Sequence, residues 1–199
     1  TGLGKSTLAW QLSLDVAQTE KIPVLYYDFE NGFAVLMDRT REIFRGNLAR
    51  IRQATERIYI RESIRSLDAD LNRIPAPALL VVDSIQKLPG SVENRRQGLD
   101  RWVHRLEALK KRGYFVVLIS EVGRSFYNIE ANVAAFKETG EIEYGVDTGI
   151  QLTEDGDYIG VNVVKNRHHP QRGLVAHLER RNSWLFREIG DPEKGQELD

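Results

Sequence analysis

Thr-Gly-Leu-Gly-Lys-Ser-Thr, residues 1–7, is the second half of the pattern G-x-x-x-x-G-K-[ST]. That loop cradles phosphates with backbone N–H groups, while its lysine reaches the outer phosphates and its hydroxyl residue reaches Mg²⁺. Thr1, Gly2, Gly4, Lys5, Ser6 and Thr7 are therefore candidate nucleotide-binding residues, with Lys5 on the phosphates and Ser6 on the metal. The leading glycine of the pattern and the strand that feeds such a loop are expected upstream of Thr1. Leu8, Leu12 and Val16 recur at helical spacing, which puts the loop at a helix N-terminus, where the dipole and free N–H groups favour anions.

Three acidic residues at the ends of predicted strands supply the rest of a hydrolytic set. Asp83 closes the apolar run ALLVVD, a position from which a carboxylate can support the Mg²⁺ water shell. Glu30 ends the strand after the first helix and is the candidate for orienting and deprotonating an attacking water. Glu121 ends YFVVLIS, where it is placed to sense the γ-phosphate through water or to couple nucleotide state to the following loop. Any one acid at a strand end suits a solvated loop equally well. In an open α/β sheet, however, ligands bind at the carboxyl ends of strands, and all three lie there beside a phosphate loop.

The elements that must position these residues follow from hydropathy. Strand-like runs at residues 23–29 (PVLYYDF), 57–60, 78–83 and 114–120 alternate with helical patterns. Phe33, Leu36, Met37 and Phe44 mark one helix, Ser66 caps a brief one, and Leu99, Trp102, Val103, Leu106 and Leu109 form the stripe of a long one. The uninterrupted runs 78–83 and 114–120 are those of strands buried on both faces. Beyond the polar stretch 124–144, closely spaced strands are expected at 149–152, 158–165, 174–178 and 184–187, with Gly156 and Gly173 at turns. The expectation is an α/β fold with a mostly parallel central sheet, helices on both faces and a C-terminal antiparallel extension. It spans residues 1–190, with a polar tail over 191–199.

Composition sets limits. The chain has 199 residues, 41% hydrophobic and 29% charged, enough for a substantial core. Its formal net charge of −1 gives no global field for nucleic acid, so such contacts would come from local basic loops. The absence of cysteine excludes disulfides, a cysteine nucleophile and thiolate metal sites. No apolar run approaches membrane length and no secretory signal is visible, so no membrane partner is expected and the cytoplasm is the default location.

Several motifs, in order, resemble the RecA-like ATPase core of the DnaB-type replicative helicases, with further likeness to the RadA/Sms recombination ATPases and, more distantly, to KaiC. They are Glu30–Arg39 (ENGFAVLMDR), Asp83-Ser-Ile-Gln86 with Pro-Gly-Ser-Val beyond it, Ile119–Arg124 (ISEVGR), Lys137–Glu143 (KETGEIE) with Asp147, and Lys165-Asn-Arg167. The resemblance covers nearly the whole chain and implies a RecA-like P-loop NTPase that uses ATP and Mg²⁺. It makes Arg39 a candidate for packing on the adenine base. Glu121 stands where those helicases usually carry glutamine.

Alternation along a strand puts Lys165 and Arg167 on one side. In the resembling ATPases these side chains enter the neighbouring subunit's site and contact its γ-phosphate, which implies self-association into a ring or filament, a hexamer above all. The tripeptide also suits a basic hairpin edge that deters aggregation. His168 and His169 lack the carboxylate or cysteine pattern of a metal site and read as loop residues.

The resemblance further implies single-stranded DNA as a partner, reached from loops that face a central channel. Lys87, Arg95, Arg96, Arg124 and Lys137 are candidates for tracking its phosphates, and Phe126 and Tyr127 for stacking on bases. The same residues suit solvated charge and core aromatics. Three readings follow: an ATP-hydrolysing oligomeric DNA motor, a KaiC-like regulatory ATPase whose nucleotide state switches assembly, and a nucleotide-binding scaffold with negligible turnover.

Overall fold

The computed structural model describes residues 3–89, 95–121, 144–182 and 184–190. Its backbone packing separates two units, residues 6–121 and residues 1–5 together with 122–199. The division falls inside the span 1–190 read from the sequence as one domain, where parallel βα units give way to antiparallel strands.

In the first unit the elements run α1 (Lys5–Thr19, its first residue counted with the other unit), β1 (Val24–Asp28), α2 (Phe33–Ile43), α3 (Leu48–Thr55), β2 (Ile58–Arg61), α4 (Leu67–Arg73), β3 (Ala78–Asp83), a 3₁₀ turn (Ile85–Lys87), α5 (Arg95–Lys110) and β4 (Tyr114–Ile119). The four strands form a parallel sheet in the order β2-β1-β3-β4, in register from Val24↔Leu79 to Asp28↔Asp83 and on to Asp83↔Ile119. All of β1 and β3 is buried.

Because strand side chains alternate, Val24, Tyr26, Leu79 and Val81 pack on one face against Trp10, Leu14, Leu36, Phe44 and Ala54 of α1, α2, α3 and the turn between α2 and α3. Trp10 anchors that layer, donating its indole N–H to Thr40 at 3.0 Å and meeting the Tyr26 ring edge-on at 5.3 Å. On the opposite face Tyr27 donates to Asp70 of α4 at 2.7 Å, and Tyr114 donates to the backbone carbonyl of Ile74 at 3.0 Å. Arg105 of α5 joins Asp68 of α4 at 2.7 Å, so helices cover both faces.

Two local expectations differ from the structure, and one element adds to them. The core face of α1 is Trp10, Ser13, Leu14 and Ala17 rather than the stripe Leu8, Leu12 and Val16, and Leu12 is 42% exposed, because small residues complete the buried face and a reading of large aliphatics overlooks them. α3 was not anticipated; Asn47 caps it, accepting from Arg50 N at 3.1 Å. β4 was expected to be buried, yet Phe115 is 61% exposed, since β4 is the edge strand of the described sheet. The cap at Ser66 forms as expected, accepting from Ala69 N at 3.2 Å.

The second unit holds β5 (Thr148–Asp155), β6 (Tyr158–Asn166), β7 (Gly173–Asn182) and β8 (Leu185–Ile189), an antiparallel sheet in sequential order. Gly156, at φ 57°, sits in the two-residue turn between the paired residues Asp155 and Tyr158, where a positive φ suits the twist of the hairpin. The tail over 191–199 lies outside the described residues.

Candidate active site

Parallel strands present their carboxyl ends along one edge, and the register sets Asp28 beside Asp83 and Asp83 beside Ile119. Alternation turns Tyr26, Asp28 and Asp83 to the sheet face that α1 covers. Ser6, in the first turn of α1, donates its hydroxyl to Asp83 Oδ1 at 3.1 Å, joining the phosphate-loop sequence to the end of β3 across 77 residues.

Asp83 is fully buried, and its second oxygen accepts the Tyr26 hydroxyl at 3.0 Å. Burial pushes the Asp83 carboxyl above its ordinary pKa; the bonds from Ser6 and Tyr26 pull it down, and the charges of Asp28 and Glu30 push it up again. Tyr26, buried next to Asp83, has its pKa raised so far that it is a proton donor only. Two oxygen donors from different elements thus converge at a dry position that favours a counter-charge. Hard oxygen ligands of this kind suit Mg²⁺, which binds one or two protein groups and takes the rest of its shell from phosphates and water.

The turn after β1 is built by Asp28, which is 1% exposed. Its Oδ1 accepts from the backbone N–H of Glu30 at 3.2 Å and of Asn31 at 3.0 Å, and from the Asn31 side chain at 3.1 Å. Its Oδ2 accepts from Gly32 N at 2.7 Å, with Gly32 at φ 84°. The carboxylate therefore dictates the path of the chain through Glu30. Glu30 itself is exposed, and its Oε1 accepts the Ser84 hydroxyl at 2.8 Å. Phe29 N donates to the Asp83 carbonyl at 2.8 Å, tying the ends of β1 and β3 together.

Arg39 lies under this turn, 5% exposed, and donates to Asn31 Oδ1 at 2.7 Å. Burial lowers its pKa, while Tyr26, Asp83 and Asp28 favour its charged form. The guanidinium expected to pack on adenine is thus buried in this structure and bonded to the turn after β1.

At the end of β4, Gln86 donates to Ser120 Oγ at 2.8 Å and accepts from Glu121 N at 3.3 Å. Glu121 and Lys87 are exposed, and Arg95 and Arg96 open α5. Thr1, Gly2, Arg124, Phe126, Tyr127 and Lys137 lie outside the described residues. Lys5 begins α1 and Thr7 is buried in its first turn. Gly4 has φ +80°, where any side chain is strained, and a Cβ on it would stand 2.3 Å from the Phe186 ring, which would have to shift.

In the second unit, Arg167 pairs with Asp147 at 2.9 Å and donates to the Tyr144 carbonyl at 2.6 Å. Lys165 Nζ reaches the same carbonyl at 3.4 Å, so the two cations share one side of the chain. Asn166 Oδ1 accepts from the backbone N–H of His168 and His169, folding them into a loop. Among the described residues there is no cluster of three or more acidic, His or Cys side chains suited to a metal, and no helix is long and apolar enough to cross a membrane.

A family model described as an AAA domain matches residues 1–125, more than half of the chain. The chain belongs to the AAA domain family. It is accordingly a P-loop ATPase domain that binds nucleotide, and the match spans Ser6, Glu30, Asp83 and Glu121. No curated protein matches the chain. The antiparallel sheet β5–β8 falls beyond the matched residues.

Sequence reasoning missed Tyr26, Asp28, Asn31 and Ser84. Asp28 alone carried a signal, a carboxylate inside an apolar run two residues before Glu30.

Proposed function

We propose that this AAA domain is a RecA-like ATPase that hydrolyses ATP between subunits of a ring or filament, most simply a hexamer, and acts on single-stranded DNA in the manner of the DnaB-type helicases. The observation that carries the hydrolytic part is the Ser6–Asp83 bond at 3.1 Å with Glu30 held one residue away on Ser84. In this reading Ser6 and Asp83 hold Mg²⁺, which supplies charge neutralisation at the phosphates. Gly4 and Lys5, with Thr1, Gly2 and Thr7, bind the phosphates, and Glu30 orients the attacking water and accepts its proton. Glu121, fixed through its backbone by Gln86, relays nucleotide state to the next loop.

The motor part rests on the ordered resemblance of the motifs and on the two cations at the end of β6. Lys165 and Arg167 complete a neighbour's site in this reading, exchanging Tyr144 and Asp147 for the γ-phosphate, where a cation accelerates phosphoryl transfer. Lys87, Arg95, Arg96, Arg124 and Lys137 track DNA phosphates. The second reading, a KaiC-like ATPase that switches assembly without moving DNA, is favoured by the docking of Arg167 on its own chain's Asp147.

ATP hydrolysis with and without single-stranded DNA, beside Glu30→Gln and Arg167→Ala, separates them. Stimulation lost in both variants supports the motor. Turnover that depends on Glu30 but is indifferent to DNA moves the protein to the regulatory class.

A further inference from the structure

We propose that Ser84 is a positioning residue for hydrolysis, setting the Glu30 carboxylate at a fixed distance from Asp83; the inference rests on the reading of Glu30 as the group that orients water. Ser84 is 2% exposed and follows Asp83 directly, so its place is fixed by a fully buried strand. It also occupies the N-cap of the 3₁₀ turn Ile85–Lys87, where a serine hydroxyl ordinarily accepts from a backbone N–H of the first turn. Here it makes no capping bond and donates to Glu30 Oε1 at 2.8 Å instead.

Glu30 needs that partner. Its backbone is set by Asp28, but its side chain is exposed, and a solvated glutamate is spread over many rotamers. One charge-assisted bond from a buried hydroxyl selects among them and leaves Oε2 for the water. The bond from Phe29 N to the Asp83 carbonyl ties the two strand ends, so the hydroxyl and the carboxylate are held on one rigid frame. Ser84 keeps its own proton and acts through geometry alone.

The test is ATP hydrolysis by the full chain in Ser84→Ala, Ser84→Thr, Glu30→Gln and the Ser84→Ala/Glu30→Gln double variant, read by single-turnover assay, with ATP-analogue binding and Tm alongside. Ser84→Ala is expected to lower the chemical rate about tenfold with analogue affinity and Tm unchanged. Ser84→Thr, which retains the hydroxyl, recovers most of the loss, and Ser84→Ala adds nothing in the Glu30→Gln background. Equal losses in both backgrounds, a rate unchanged or raised by Ser84→Ala, or a loss carried by affinity would each overturn the proposal. Wild-type turnover by Glu30→Gln would instead overturn the underlying reading, and this one with it.

Discussion

The hydroxyl of Tyr26 donates to Asp83 Oδ2 at 3.0 Å from within the sheet, on the carboxylate oxygen opposite the one that Ser6 reaches. A tyrosine that hydropathy counts as core is thus the orienting partner of the acid at the phosphate edge. With both oxygens bonded, the Asp83 carboxylate cannot rotate freely, and the oxygen shared with Ser6 stays aimed at the helix N-terminus.

Removing that hydroxyl leaves the packing almost intact, since Tyr26→Phe keeps the ring that meets Trp10 edge-on. It also leaves Asp83 Oδ2 without its donor, which costs about 1–3 kcal/mol, so the expected effect is on metal binding together with a modest loss of stability. Outer-shell partners of metal ligands are worth about 10–100-fold in affinity or activity. A Mg²⁺ titration of ATP hydrolysis should show Tyr26→Phe needing about tenfold more metal, with a modestly lowered Tm. An unshifted titration would remove Tyr26 from the site.

Asp83 links function to stability through pH. Its folded pKa is raised, chiefly by burial, above the ordinary 3.8. The folded chain then binds the proton more tightly than the unfolded one, so the contribution of the protonated group is fully present below the unfolded value. It is lost as pH rises through the folded value and stays lost above it. Asp83→Asn, which does not ionise, is expected to match the wild type in Tm near pH 3 and to exceed it at pH 7 without Mg²⁺. Adding Mg²⁺ and ATP should raise the wild-type Tm more than that of the variant, which keeps the phosphate loop and loses only the metal-dependent part of the gain. Parallel Tm profiles across that pH range would refute the account.

The parts legible in the sequence were those written locally. β1 and β3 stood out as apolar runs ending in Asp or near Glu, and Ser66 marked a helix start that the structure forms. What stayed hidden depends on contacts between distant residues. Tyr26 meets Asp83 across 57 positions, Tyr27 meets Asp70 across 43, and Arg167 meets Asp147 across 20. The buried stripe of α1 contains Ser13 and Ala17, which carry little hydrophobic signal but let the helix approach the sheet. Arg39 sits at a motif offset that points to the base, and only packing reveals that its guanidinium is buried and bonded to Asn31.

Arg39 offers a direct contrast between those two placements. As the cation beneath Asp28, Asp83 and Tyr26, it balances charge in a region that excludes water. Arg39→Met is expected to destabilise the fold by about 1–3 kcal/mol, the cost of leaving the Asn31 oxygen without its charged donor. Urea unfolding measures this. A base-packing arginine would give the opposite pattern, unchanged unfolding with a raised KM for ATP.

Whether Arg167 serves its own subunit or the next one can be decided by mixing two damaged chains. Arg167→Ala retains Glu30 but lacks the cation, and Glu30→Gln retains the cation but lacks the carboxylate. In a heterologous assembly one chain's β6 end faces the next chain's phosphate edge, so a mixture contains some interfaces with an intact Glu30 and an intact Arg167. At equimolar mixing about one interface in four is complete on random assembly. Hydrolysis by the mixture should then rise well above that of either variant alone. Adding Asp147→Ala to the Glu30→Gln chain, which frees its Arg167 from the 2.9 Å ion pair, should increase the recovered activity further. A mixture no more active than the mean of its parts would place Arg167 with Asp147 as a structural pair of the β6 end and refute the shared site.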